Sequence, residues 1–222
     1  MIDQLAIIPI LLFSVVIHEV AHGWVAWRLG DPTARDYGRL TLNPIPHIDL
    51  FGSIIVPLVS LVAAGSVFIA WAKPVPINPA NFSRPRRDDI LVSIAGPVSN
   101  LLLSLICTII VLAVAIVGRV LHVQDGTLAQ QVVDFLETMF FGGVYLNIVL
   151  ALFNLIPIPP LDGSHVLASL LPPEVALQYR RVGFVGIIAI LLLLRVPAIS
   201  EGFHSLIMMV TAPLIHLIEM GM

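Results

Sequence analysis

Three ionisable residues, His18, Glu19 and His22, interrupt the otherwise apolar stretch SVVIHEVAHGWVA, residues 14–26. On a helix, positions i and i+4 lie one turn apart on the same face. Both imidazoles can therefore reach one metal ion, while Glu19 falls in the neighbouring sector, close enough to handle a water there. HExxH is the pattern in which zinc hydrolases take the two histidines as ligands and the glutamate as general base. An unpaired charge at bilayer depth costs at least ~2.5–3.5 kcal/mol on insertion scales. Three polar groups in one apolar turn therefore need partners, and metal ligation supplies them.

A catalytic zinc usually takes three protein ligands and keeps one position open. The third ligand should be a His, Asp, Glu or Cys at comparable depth. Asp162 lies in FNLIPIPPLDGSHV, directly after an apolar run. Pro157, Pro159 and Pro160 stop regular helix there, and Gly163 permits an unusual turn, so a short unwound stretch would present Asp162 inwards. The competing reading makes Asp162 a cap for the helix that follows. His165 is an alternative ligand. His47, Asp49, His204 and His216 read better as interfacial or helix-end residues.

The elements that position these groups are set by an unusual composition. Of 222 residues, 58% are hydrophobic and 11% charged, and the mean hydropathy is +1.01. Soluble domains run at about 45–50% apolar and about 25% charged. The chain therefore reads as an all-α polytopic protein of the lipid bilayer. Its net charge of −3 offers no basic surface for nucleic acid. The single cysteine, Cys107, lies in an apolar run and behaves as a small hydrophobe. The N-terminal segment lacks the basic n-region of a secretory signal and reads as a retained helix.

Runs of about 20 apolar residues mark membrane helices. Six apolar segments stand out, at 4–28, 50–71, 88–118, 138–156, 181–196 and 203–219, giving five to six crossings. Basic residues favour cytoplasmic loops. Arg28, Arg35 and Arg39 precede segment 50–71, and Lys73, Arg84, Arg86 and Arg87 follow it. Both flanks thus read as cytoplasmic, which disfavours a single crossing at 50–71 and suggests a re-entrant hairpin broken at Pro57 and Gly65. Arg180 and Arg181 place loop 157–180 on the same side. The polar stretch 119–136 and the N-terminus go outside.

Taken together, HEVAHG, AGPVSN and NLIPIPPLDG resemble the site-2 protease family of intramembrane zinc metalloproteases. Asn154, Pro157, Pro160, Leu161, Asp162 and Gly163 match that family's N-x-x-P-x-x-P-L-D-G signature, and Gly96, Pro97 and Asn100 match its G-P-x-x-N element. The likeness covers roughly residues 10–172. It implies one Zn2+ per chain held by His18, His22 and Asp162, with Glu19 as the catalytic acid/base. It also implies that Asn154 orients or polarises the substrate carbonyl; the plainer reading of Asn154 is a helix–helix hydrogen bond. Asn100 reads as structural. The PDZ and CBS modules of larger members are not found in this sequence.

The expectation is a three-helix metalloprotease core over 1–172 and a transmembrane hairpin over 173–222. Residues 38–44 and 73–78 could add a small β element at the cytoplasmic mouth. The implied activity is hydrolysis of peptide bonds in or near transmembrane segments of a membrane-protein or peptide substrate. The implied setting is the cell membrane, with the site open towards the cytoplasm. The runner-up is an inactive membrane scaffold or a zinc-binding or transport protein.

Overall fold

The computed structural model describes residues 2–49, 52, 55, 72–183 and 185–221. The apolar segment 50–71, read above as re-entrant, lies outside the described residues but for two positions. Eight α-helices are described: α1 (Ile2–Arg28), α2 (Thr33–Asp36), α3 (Pro85–Val120), α4 (Leu128–Asn154), α5 (Asp162–Leu170), α6 (Pro173–Arg180), α7 (Val185–Leu193) and α8 (Pro197–Gly221). Short 3-10 turns stand at Ile45–His47 and Pro79–Asn81.

Four helices are long and apolar enough to cross a membrane: α3, α4, α8, and α1 over Ile7–Arg28. The pair α6 and α7, bent by 80°, adds a fifth if it is one span. The protein is thus an all-α polytopic membrane protein. Its bundle is built on α1, α3 and α4, each of which packs against the other two. α8 closes on α3 and α4. The shared core of Ile10, Cys107, Val111, Val144, Ile148, Ile207 and Ile218 draws on all four.

Two boundaries differ from the sequence reading, and each has a local cause. The polar composition of 119–136 predicts a loop, yet α4 begins at Leu128. Thr127 caps it, its Oγ1 accepting the Gln130 N–H at 3.2 Å, and Gln130 Nε2 donates to Asp134 Oδ1 one turn on at 2.6 Å. Hydropathy reports depth in lipid, whereas capping and i,i+4 pairs carry a helix beyond it. Likewise, the polar connection 157–180 folds into α5 and α6.

No strand forms among the described residues, so the expected β element at 38–44 and 73–78 is corrected. A ladder needs N–H donors facing a partner strand, and three of the four backbone donors of 73–78, those of Lys73, Val75 and Asn78, are spent elsewhere. Pro74 and Pro76 have none. The Lys73 N–H goes to His47 O at 2.9 Å. The Val75 and Asn78 N–H groups go to the side chains of Glu19 and Asp31, at 2.8 and 2.7 Å.

At the basic end of the bundle, the start of α3 is tied to the segment carrying Asp162. Buried Asp89 accepts hydrogen bonds from Arg180 Nη2 at 2.8 Å and Ser169 Oγ at 3.1 Å. His165 Nδ1 lies 3.5 Å from its other oxygen. One carboxylate of α3 thus fixes α5 and α6.

Candidate metal centre

The contact between α1 and α3 follows one antiparallel register. Along α1, Ser14, His18, His22 and Ala26 recur every four residues, on one face, and all four are buried. Along α3, Val92, Gly96 and Asn100 do the same. His22 Nδ1 lies 2.7 Å from Val92 O, and His18 Nδ1 lies 2.6 Å from Asn100 Oδ1. Gly96, between them, has no side chain to intrude. A Cβ there would fall 2.6 Å from His18 Nε2 and would collide with His22 Nε2.

These partners settle which nitrogens carry protons. A backbone carbonyl only accepts, so His22 donates from Nδ1 to Val92 O. The polarity at His18 is fixed from further away. Asn147 of α4 donates from Nδ2 to Gly143 O at 2.9 Å, which turns its Oδ1 towards Asn100. Asn100 Nδ2 donates to that oxygen at 2.9 Å, which turns Asn100 Oδ1 towards His18. His18 must then donate from Nδ1. With Nδ1 protonated, a neutral imidazole presents a bare lone pair at Nε2.

Both Nε2 atoms point to one place, 3.1 Å apart. Asp162, the first residue of α5, joins them there. Its Oδ2 lies 3.1 Å from His18 Nε2 and its Oδ1 lies 3.3 Å from His22 Nε2. The ligand atoms of the three residues lie within 4.8 Å of one another. Two lone pairs and a carboxylate converge, and Asp162 Oδ2 is buried with no hydrogen-bond donor. Buried polar atoms are normally paired, so this one calls for a cation. Two neutral imidazoles and one carboxylate suit zinc, and the Gly96 gap leaves room for an ion.

Asp162 is held by the packing of its neighbour. A Cβ on Gly163 would collide with the Leu155 carbonyl and meet Ile156 O at 2.8 Å. Gly163 therefore lets α5 begin directly against the end of α4. Of the other sequence candidates, His165 turns to Asp89. His47 Nε2 sits 3.0 Å from Thr41 O, and Asp49 accepts the Gly52 N–H at 2.6 Å. His204 and His216 lie on α8. Glu19 accepts the Val75 N–H. Asn154 ends α4 with its amide folded back onto its own helix, Nδ2 donating to Leu150 O at 2.9 Å.

Sequence reasoning missed Asn147. Its signal was present, since an amide in the apolar run YLNIVLALFN demands a partner, but nothing in the sequence named that partner as Asn100. Groups that orient a metal's ligands typically contribute 10–100-fold in affinity. Asn100→Ala is expected to weaken zinc binding by about that factor, read by competition with a chromophoric chelator, and Asn147→Ala to weaken it less.

The model of "Peptidase family M50" matches residues 6–118 and 112–194. The chain is 39% identical over 197 residues to "Putative zinc metalloprotease YwhC" of Bacillus subtilis, covering 87% of this chain and 83% of that protein. It is 29% identical over 200 residues to "Putative zinc metalloprotease Rip2" of Mycolicibacterium smegmatis, covering 88% and 69%. It is 28% identical over 200 residues to the Rip2 of Mycobacterium tuberculosis H37Rv, again covering 88% and 69%. No solved structure matches significantly. The chain belongs to peptidase family M50, the family of the site-2 proteases.

Proposed function

We propose that the protein is an intramembrane zinc metalloprotease that hydrolyses peptide bonds in or near transmembrane segments of membrane-protein substrates, as in regulated intramembrane proteolysis. The convergence of His18 Nε2 and His22 Nε2, both on a helix long enough to span a bilayer, with the Asp162 carboxylate at the start of the short α5 carries this reading. His18, His22 and Asp162 would hold one zinc. When bound, zinc supplies Lewis acidity, polarising a carbonyl and making hydroxide accessible near neutral pH.

The residues of the chain do the rest. Glu19 takes the proton of the attacking water and returns it to the leaving amine, the general acid–base role of its position in HExxH. Asn154 faces the developing oxyanion, exchanging its bond to Leu150 O for one to the substrate. The substrate helix must unwind first, because a helix keeps its carbonyls in its own hydrogen bonds. The cytoplasmic side of the cell membrane is the proposed entrance. His22 lies six residues before Arg28, about 9 Å along the helix, and nine of the eleven Lys and Arg residues lie at 28–87 or at 180–181. The domain reading, a core over 1–172 and a hairpin over 173–222, belongs to the same proposal.

Glu19→Gln tests it. The variant should retain zinc, measured by elemental mass spectrometry, and lose cleavage of a transmembrane peptide by about 10²–10⁴-fold, the usual span for a lost general base. Wild-type cleavage by Glu19→Gln would remove Glu19 from this role. Zinc binding without cleavage in the wild type would favour the scaffold or transport reading.

A further inference from the structure

We propose that Asp31 is a positioning residue for Glu19, acting through segment 73–78 to hold the Val75 amide against the Glu19 carboxylate. The inference rests on the reading of Glu19 as the catalytic acid/base. Asp31 follows α1 and is wholly buried. An aspartate that caps its own turn needs local donors, and Thr33 supplies them, from its N–H at 3.1 Å and from its hydroxyl. Asp31 also takes two donors from far along the chain, the Asn78 N–H at 2.7 Å and Asn81 Nδ2 at 2.7 Å. Burial alone would raise this carboxyl. The hydrogen bonds, that of the Thr33 hydroxyl foremost, outweigh burial and hold it below the usual carboxylate range.

The other end of the segment is fastened as well. Arg39 Nη2 donates to Lys73 O at 2.7 Å, and the Lys73 N–H donates to His47 O. Between the two anchors, Pro74 and Pro76 fix φ near −65° and contribute no donor. The Val75 N–H is therefore the one backbone donor between Lys73 and Ile77, and it reaches Glu19 Oε2 at 2.8 Å. Gly23, one residue after the HExxH motif, leaves the seat that Val75 occupies. A Cβ there would meet Val75 Cγ1 and Leu40 Cδ2, each at 2.8 Å.

One carboxylate oxygen of Glu19 is thus tethered by a braced amide, which restricts the side chain and leaves the other oxygen for proton transfer. Placement of a catalytic group matters steeply, since an error of about 1 Å can cost about 10²-fold in rate. The clamp serves the base and not the ligands, so its loss should appear in kcat.

The test uses the purified full-length protein in detergent with zinc bound, and dye-labelled casein as an unstructured substrate. Two measurements run in parallel: steady-state kinetics with zinc content, and hydrogen exchange of the Val75 amide. Asp31→Ala is expected to speed Val75 exchange at least tenfold and to lower kcat about ten- to a hundredfold, with KM and zinc content unchanged. Asp31→Asn, which keeps the volume but weakens the acceptor, should fall between. Gly23→Ala, which displaces Val75 without touching Asp31, should reproduce the effect if Asp31→Ala does not fold. Unchanged Val75 exchange, unchanged kcat, or a loss that tracks zinc would overturn the proposal. The exchange measurement needs no activity. A Glu19→Gln protein that still cleaves would refute the assignment of Glu19, while unchanged exchange would refute the clamp alone.

Discussion

Gly96→Ala is expected to give a folded protein that purifies without zinc and cleaves nothing. The substitution is conservative by any helical measure, since alanine is the better helix former by about 1 kcal/mol. Its effect comes from position. The new Cβ would fall 2.6 Å from His18 Nε2 and onto His22 Nε2, the two atoms that must face the metal. α3 cannot retreat cheaply, because Val92 O and Asn100 Oδ1, one turn to either side of Gly96, are the hydrogen-bond partners of the same two rings. Moving the helix breaks those bonds, and leaving it in place fills the metal's position. Retained helicity by circular dichroism with zinc absent by elemental analysis is the expected pair of results. Normal zinc content in Gly96→Ala would mean that the ligand atoms converge elsewhere.

The same face of α3 shows what the sequence could and could not disclose. His18 and His22 were legible because two metal-ligating side chains at i and i+4 lie on one helix face and can reach one ion. Asp162 became legible with its proline and glycine neighbours, against a competing reading as a cap that the structure does not bear out, since Leu161 holds the cap position. It is in fact the first residue of α5, so helix start and candidate ligand are one position. Gly96 and Asn100 stood out only as parts of a resembling motif. Their register against α1 explains why a glycine and an amide are needed four residues apart.

Other contacts were illegible for physical reasons. The Val75 tether is made by a backbone N–H, which every residue but proline possesses, so no residue type marks it. What the sequence does contain is the pair of prolines around it, a pattern that fits extended chain available for a β ladder. The prolines instead leave one donor, and Glu19 takes it. The amide relay through Asn100 and Asn147 spans 47 residues of sequence and two helices, and only packing brings its members together. The helical extension before residue 138 leaves no mark in hydropathy, which measures the lipid-facing part of a helix and not its length.

Asp162→Ala is the second large effect, and it separates ligation from folding. The wild-type protein should gain thermal stability on zinc addition, because a ligand that binds the native state alone contributes RT ln(1 + [L]/Kd), about 2.7 kcal/mol at one hundred times Kd. Removing Asp162 leaves two neutral imidazoles and no anionic ligand to match a dication. The loss should exceed the 10–100-fold typical of an outer partner and reach the order of 10³-fold or more. The zinc-dependent rise in Tm should then vanish at zinc concentrations that saturate the wild type, and cleavage with it. Gly163→Ala should move in the same direction without altering any ligand, since its Cβ collides with the Leu155 carbonyl and pushes the start of α5 off the end of α4. His165→Ala supplies the contrast. That residue turns to Asp89 at 3.5 Å, so its variant should keep the full zinc-dependent rise in Tm. An equal loss in His165→Ala and Asp162→Ala would show that the whole α5 segment, and not the Asp162 carboxylate, governs binding.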